Sequence, residues 1–134
     1  MRVVVDTNVL VSGIFFTGPP YSILNALRQG KIELVLSDEI FSEYHRVAEN
    51  LAKQFSEIEL APLLKLILTN STVVESALLE NPVCEDADDD KFIACAIASN
   101  AQLIISGDKH LLNVSGYRDI TVMKPRNFVD KHLK

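Results

Sequence analysis

Short apolar runs rich in β-branched residues alternate with helical segments along the chain, and this alternation limits the possible folds more than any other feature. The runs that read as strands are residues 2–5, 32–36, 72–74, 102–106 and 120–123. Helices are predicted between them, at residues 20–29, 38–54, 88–99 and 109–113, with two more that open at Ser56, in a capping box, and at Pro125. Strands joined through helices pair in parallel, with right-handed crossovers and helices on both faces. The sequence therefore predicts a three-layer α/β/α fold with a central parallel sheet of about five strands.

Length and composition bound the class of protein. At 134 residues, 48% of them hydrophobic and 23% charged, the chain fits a single globular domain over residues 1–134. No apolar run approaches the roughly 20 residues that a membrane span needs, and Met1 leads directly into a strand rather than a signal sequence. We therefore expect a cytoplasmic protein with no membrane partner.

Two carboxylates follow predicted strands at the point where each strand ends. Asp6 follows Val3-Val4-Val5, and Asp108 follows the strand at 102–106. Ligand crevices of open α/β sheets lie outside the carboxyl ends of the strands, so these acids are candidate site residues, and adjacent strands would bring both within reach of one ion. For Asp6 a turn or helix N-cap remains the alternative, because aspartate favours both positions.

Two further acids lie on predicted helices. Glu43 falls at the edge of the apolar face of the 38–54 helix, about 80° from its centre by helical geometry. Asp90 shares one face with Ile93, Ala94 and Ile97, so it should be half-buried, and no Lys or Arg follows it at i+3 or i+4. The alternative for Asp90 is a helix cap within a solvated acidic stretch.

The four acids Asp6, Glu43, Asp90 and Asp108 would repel one another if they converged without bases. Divalent cations would restore neutrality, and ligation by oxygen alone selects Mg²⁺ or Mn²⁺ over Zn²⁺. Such ions suit phosphoryl chemistry, because they activate water and neutralise charge in the transition state. The sequence thus predicts that all four acids are metal ligands with a catalytic role.

Charge is unevenly distributed along the chain. Residues 1–108 hold 7 Lys/Arg against 16 Asp/Glu, whereas residues 109–134, which we call the basic tail, hold 6 against 2. The basic tail could meet phosphate while the acids hold cations, although a merely solvated face would have the same composition.

Four segments form a specific set through their order and spacing. They are Val3-Val4-Val5-Asp6-Thr7-Asn8-Val9-Leu10, Ser42-Glu43-Tyr44, Asp88-Asp89-Asp90-Lys91-Phe92-Ile93-Ala94-Cys95-Ala96 and Ile104-Ile105-Ser106-Gly107-Asp108-Lys109-His110-Leu111-Leu112. Together they resemble the PIN-domain ribonucleases, in the branch that supplies toxins of toxin–antitoxin systems.

The resemblance implies a PIN-like fold and Mg²⁺- or Mn²⁺-dependent endonucleolytic cleavage of single-stranded RNA, with an antitoxin protein as partner and frequent homodimerisation. The family's four acids match Asp6, Glu43, Asp90 and Asp108. The auxiliary residues that it implies are Thr7, Asn8, Ser106 and Asp89.

Three rival functions compete with this one. An aspartyl phosphatase needs a second Asp two residues after the first, and position 8 is Asn. A response-regulator receiver needs an Asp after its third strand, where Thr72-Val73-Val74-Glu75 has none. The remaining alternative is a non-catalytic RNA- or protein-binding module on the same fold.

Overall fold

Five parallel strands form one sheet. The computed structural model describes residues 1–55 and 57–134. The strands are β1 (Arg2–Val5), β2 (Glu33–Leu36), β3 (Ser71–Val73), β4 (Leu103–Ile105) and β5 (Thr121–Met123). Their order across the sheet is β3-β2-β1-β4-β5, and every neighbouring pair is parallel. The predicted α/β class and five-stranded parallel sheet are confirmed, with strand bounds that differ by a residue or two.

Helices flank the sheet. They are α1 (Thr7–Phe15), α2 (Pro19–Arg28), α3 (Asp38–Ala52), α4 (Leu60–Thr69), α5 (Asp90–Ser99), α6 (Lys109–Leu112) and α7 (Pro125–Phe128), the last continuing into a helical segment over Val129–Leu133. A 3₁₀ turn over Ala87–Asp89 precedes α5, so the helix that was predicted from residue 88 begins two residues later. Over residues 1–55 and 57–134, no helix combines the length and the apolar character needed to cross a membrane.

Two helix starts differ from expectation. Helix α1 was not predicted, because most of its residues are buried and the one-sided apolar period of a surface helix is missing. The capping box predicted at Ser56 lies outside the described residues, and α4 begins at Leu60, after Glu59. Helix α3 begins as expected, with the Ser37 hydroxyl accepting the Ile40 N–H at 3.3 Å.

The strand order has a direct consequence for the location of a site. Strand β1 is central, with β2 on one side and β4 on the other, so the direction of the chain across the sheet reverses between β1 and β4. In open α/β sheets the ligand crevice lies at such a reversal, outside the carboxyl ends of the strands. Val5 pairs with Ile105, so the residues that follow these two strands are neighbours at that edge.

Helices α1 and α2 approach closely at Gly13. A Cβ added there would meet the Pro20 carbonyl oxygen at 2.7 Å and the Leu24 Cβ at 3.3 Å. We expect Gly13→Ala to destabilise the fold by a net of up to ~2 kcal/mol, because the gain in helix propensity of about 1 kcal/mol offsets only part of a steric cost of about 1–3 kcal/mol. Urea unfolding measures this. Gly107→Ala is the control, since no atom lies within 4 Å of its added Cβ, and equal losses in both variants would contradict the prediction.

Candidate active site

Asp6 lies at the predicted crevice, directly after β1. Its backbone N–H donates to the Ile105 carbonyl at 2.9 Å, which extends the pairing of β1 with β4 by one residue. Asp6 occupies the N-cap position of α1, but its side chain makes no capping hydrogen bond. The carboxylate instead accepts a hydrogen bond of 2.6 Å from the Ser106 hydroxyl. The backbone of Asp6 therefore takes the N-cap position that was the alternative expectation. Its carboxylate does not cap the helix and instead bonds to Ser106 at the end of β4.

Ser106 joins the ends of β1 and β4. Its side chain is fully buried, and its hydroxyl donates to Asp6 while accepting the Asp108 N–H at 2.9 Å. Asp108 then caps α6, with Oδ1 accepting the His110 N–H at 2.8 Å. One hydroxyl thus fixes the positions of both strand-end acids relative to each other.

Asp89 is the third acid of this group. It is 8% exposed, and its Oδ2 is buried with no hydrogen-bond partner among the described residues. Burial raises the pKa of Asp89 to about 6, and the charges of Asp108 and Asp6 add to the shift. Asp89 was predicted only as an auxiliary residue, yet the charges of both strand-end acids act on its carboxylate.

The Asp90 carboxylate contacts the loop that precedes α5. Its two oxygens accept the backbone N–H groups of Cys84 at 2.7 Å and Val83 at 3.2 Å. These bonds hold the loop before α5 against the start of that helix. The structure therefore links Asp6 and Asp108 through Ser106 and leaves Asp89 under the influence of both charges. It places the Asp90 carboxylate on the loop backbone.

Glu43 is held beside Asp6 by its own helix. The neighbouring Tyr44 is fully buried, and its hydroxyl donates to the carbonyl of Val5, the last residue of β1. Both carboxylate oxygens of Glu43 have partners: the Thr7 hydroxyl donates to Oε1, and the Lys91 ammonium pairs with Oε2. Thr7, one of the predicted auxiliary residues, therefore contacts Glu43, whereas Asn8, another, is exposed.

Lys91 is the residue that sequence reasoning missed. Its side chain is 4% exposed, and its ammonium contacts Glu43 and, at 3.0 Å, Asp88. Burial lowers the pKa of Lys91, but the bonds to these two carboxylates outweigh it and the pKa lies above its ordinary value. A signal was present, because residues 92–97 are apolar on every side of the helix and a lysine in such a buried helix needs an acid partner.

Asp6, Asp89 and Asp108, which we call the acid cluster, carry unbalanced negative charge. Burial raises the pKa of Asp6, an effect to which Asp108 and Glu43 add while the Ser106 hydrogen bond opposes it. No side-chain nitrogen of Lys, Arg or His in the described residues lies within 4.0 Å of these carboxylates. Uncompensated carboxylates and an unpartnered buried oxygen fit a hard divalent cation with oxygen ligands.

The acid cluster is not arranged as a finished coordination shell. Among residues 1–55 and 57–134, no three His, Cys, Asp or Glu side chains form a group that could hold a metal ion as they stand. Binding would therefore require side-chain movement, which the partner-free Oδ2 of Asp89 leaves open.

The raised pKa of Asp89 predicts a pH dependence of stability. Between the ordinary value of 3.8 and about 6, the folded chain holds the proton that the unfolded chain has lost. The free energy of unfolding should consequently fall as pH rises through this window, in metal-free buffer. Urea unfolding from pH 4 to 7 would measure it, with Asp89→Asn as the control. A wild-type curve parallel to that of Asp89→Asn would contradict the assignment.

Comparison of the sequence with known proteins identifies the family of this chain. A family model described as PIN domain matches residues 2–110, a segment that includes the acid cluster, Glu43 and Lys91 and ends before β5. The chain is also similar to "Uncharacterized protein MJ1680" of Methanocaldococcus jannaschii, at 34% identity over 150 positions that cover all of this chain and 93% of that protein. PIN domains are generally nucleases, which are hydrolases, so the function of this chain is of the nuclease type. The chain belongs to the PIN domain family.

Proposed function

We propose that this chain is a metal-dependent endoribonuclease that hydrolyses phosphodiester bonds of single-stranded RNA. The observation that carries the proposal is the acid cluster, three carboxylates without a basic partner among the described residues, at the carboxyl ends of β1 and β4 and the start of α5. A nuclease of this kind needs a place where oxygen ligands and excess negative charge hold a cation next to an open crevice.

The contacts favour Asp6, Asp89 and Asp108 as the ligands of Mg²⁺ or Mn²⁺. Ser106 orients the first and last of these through its two hydrogen bonds. Asp90, the third ligand expected from the sequence, is engaged by two backbone N–H groups and is better suited to holding the loop. A bound ion would lower the pKa of an attacking water and offset the charge of the phosphoryl group.

Hydrolysis would add the water's hydroxyl to phosphorus and its proton to the departing 3′ oxygen. The products are a 5′ phosphate and a free 3′ hydroxyl. Attraction for the RNA backbone is assigned to the basic tail, whose Lys and Arg residues are all exposed. They are Lys109, Arg118, Lys124, Arg126, Lys131 and Lys134.

A cleavage assay tests the proposal. The purified chain is incubated with structured and unstructured RNAs in Mn²⁺, in Mg²⁺ or in EDTA, and the cut ends are sequenced. Glu39→Gln is a matched control, since it neutralises an exposed acid of α3 outside the acid cluster. The proposal is supported if cutting needs the metal, leaves 5′ phosphates and disappears in Asp89→Asn. Cutting that persists in EDTA would refute the metal requirement.

The second candidate is a non-catalytic module that binds RNA or protein. The observation in its favour is that the described acids do not form a ready metal-binding group. RNA that stays intact with every metal, while binding to the chain is retained, would favour this module over the nuclease.

We also propose that the chain is the toxin of a toxin–antitoxin pair. Its motif set supports this role, which brings a cytoplasmic location, an antitoxin protein as partner and a homodimer. Induced expression in a bacterial host tests it: the wild type should arrest growth and Asp89→Asn should not. Normal growth with both proteins at equal abundance would point to ordinary RNA processing.

A further inference from the structure

Lys91 places a fixed positive charge beside the acid cluster. Its ammonium is buried, reached by Glu43 from α3 and by Asp88 from the turn before α5. Asp88 is 70% exposed, so solvent screens it, whereas Glu43 is only 15% exposed. The buried ion pair is therefore the one between Lys91 and Glu43.

This pair changes what Glu43 can do. One carboxylate oxygen accepts from Thr7 and the other is held by the ammonium. A dication on the same carboxylate would have to approach the ammonium within a few ångströms, and like charges in a buried setting repel strongly. Thr7, which donates to Glu43, directly follows Asp6, and Lys91 lies two residues after Asp89, so the ion pair adjoins the acid cluster.

Unlike the ion pair of Lys91 with Glu43, the acid cluster has no positive charge paired with its negative charges in the described part of the chain. Its three carboxylates face no basic side chain among the described residues, and the Oδ2 of Asp89 is buried without a partner there. One divalent ion offsets most of this charge. Glu43 would be the nearest ligand for a second ion, but its charge is already neutralised by the Lys91 ammonium.

We propose that the Lys91 ammonium takes the place of a second metal ion, so that the site binds a single divalent cation at Asp6, Asp89 and Asp108. This inference rests on the proposed metal-dependent function. Lys91 is a positioning residue in this arrangement: it fixes Glu43 and supplies the positive charge on that side of the crevice without occupying the metal position.

Counting bound Mn²⁺ tests the inference without any measurement of activity. Equilibrium titration followed by electron paramagnetic resonance should give one ion per chain for the wild type and for Lys91→Arg, which keeps the charge. Lys91→Met frees Glu43 and should admit a second ion. The double variant Lys91→Met with Glu43→Gln should return to one.

Other counts would overturn the inference. Two ions in the wild type, or one ion in Lys91→Met, would show that the ammonium does not exclude a second cation. Should Lys91→Met fail to fold, Glu43→Gln decides by the count of bound ions: it should still bind one Mn²⁺ per chain, and the loss of that ion at saturating Mn²⁺ would make Glu43 a ligand of the single cation. The absence of any bound Mn²⁺ in the wild type would overturn the proposed metal dependence as well, so the two failures are distinguishable.

Discussion

Asp89→Asn should reduce RNA cleavage by on the order of a thousandfold, because metal ions supply several kcal/mol of charge stabilisation in phosphoryl transfer and each 1.4 kcal/mol is about tenfold in rate. The fold should survive, since the Oδ2 of Asp89 makes no hydrogen bond to the described residues and the lost charge is one that its surroundings disfavour. Single-turnover cleavage rates at saturating Mn²⁺ would measure the loss.

Asp90→Asn is the matched comparison, one residue along the chain. The amide cannot accept both the Val83 and Cys84 N–H groups, so we expect a loss of about 1–3 kcal/mol in the free energy of unfolding. Cleavage well below the melting temperature should fall far less than in Asp89→Asn. The reverse pattern, with Asp90→Asn inactive and Asp89→Asn active, would restore Asp90 as the ligand expected from the sequence.

Asp6→Asn should produce opposite effects on stability and on activity. Asparagine can still accept the Ser106 hydrogen bond, but it removes a buried charge whose pKa is raised by burial and by Asp108. The metal-free variant should therefore be more stable than the wild type at pH 7, while cleavage falls by about a thousandfold.

The Asp6→Asn variant also separates two effects on stability, that of the buried charge and that of metal binding. Mn²⁺ at a hundred times its dissociation constant should stabilise the wild type by about 2.7 kcal/mol, and it should stabilise Asp6→Asn by much less. Urea unfolding with Mn²⁺ and with EDTA gives both quantities, and Glu39→Gln should behave as wild type. If Asp6→Asn is less stable than wild type in EDTA, the charge of Asp6 is compensated in the free protein.

The sequence was sufficient for the sheet because its strands are short apolar runs that end in polar residues. Parallel pairing follows from the helices between them. The order β3-β2-β1-β4-β5 does not follow from the same pattern, since periodicity shows which face of a strand is buried but not which strand lies beside it. Helix α1 was missed for a related reason: a helix that is buried on most sides has no polar face to reveal its period.

The positions of Asp6 and Asp108 in the fold follow from the strands that they end, whereas their role in a site stays a prediction. Asp6 and Asp108 lie at the sheet edge because β1 and β4 end there. On the proposed function, Asp89 takes the ligand role expected of Asp90. The 3₁₀ turn that shifts the start of α5 by two residues was not predicted, because single-sequence patterns do not resolve helix starts so finely. Lys91 was overlooked because only helical spacings from Asp90 were considered, whereas its partner Glu43 comes from another helix.

The hydrogen bond between Ser106 and Asp6 joins residues 100 positions apart in the chain. During synthesis Ser106 is made 100 residues after Asp6, and Asp108 follows two residues later. Domains fold as units as they leave the ribosome, so an unfinished chain lacks one side of the crevice. On the proposed function, the RNA around the ribosome meets a complete acid cluster only after residue 108 has been made, so the order of the strands in the chain delays RNA cutting during synthesis.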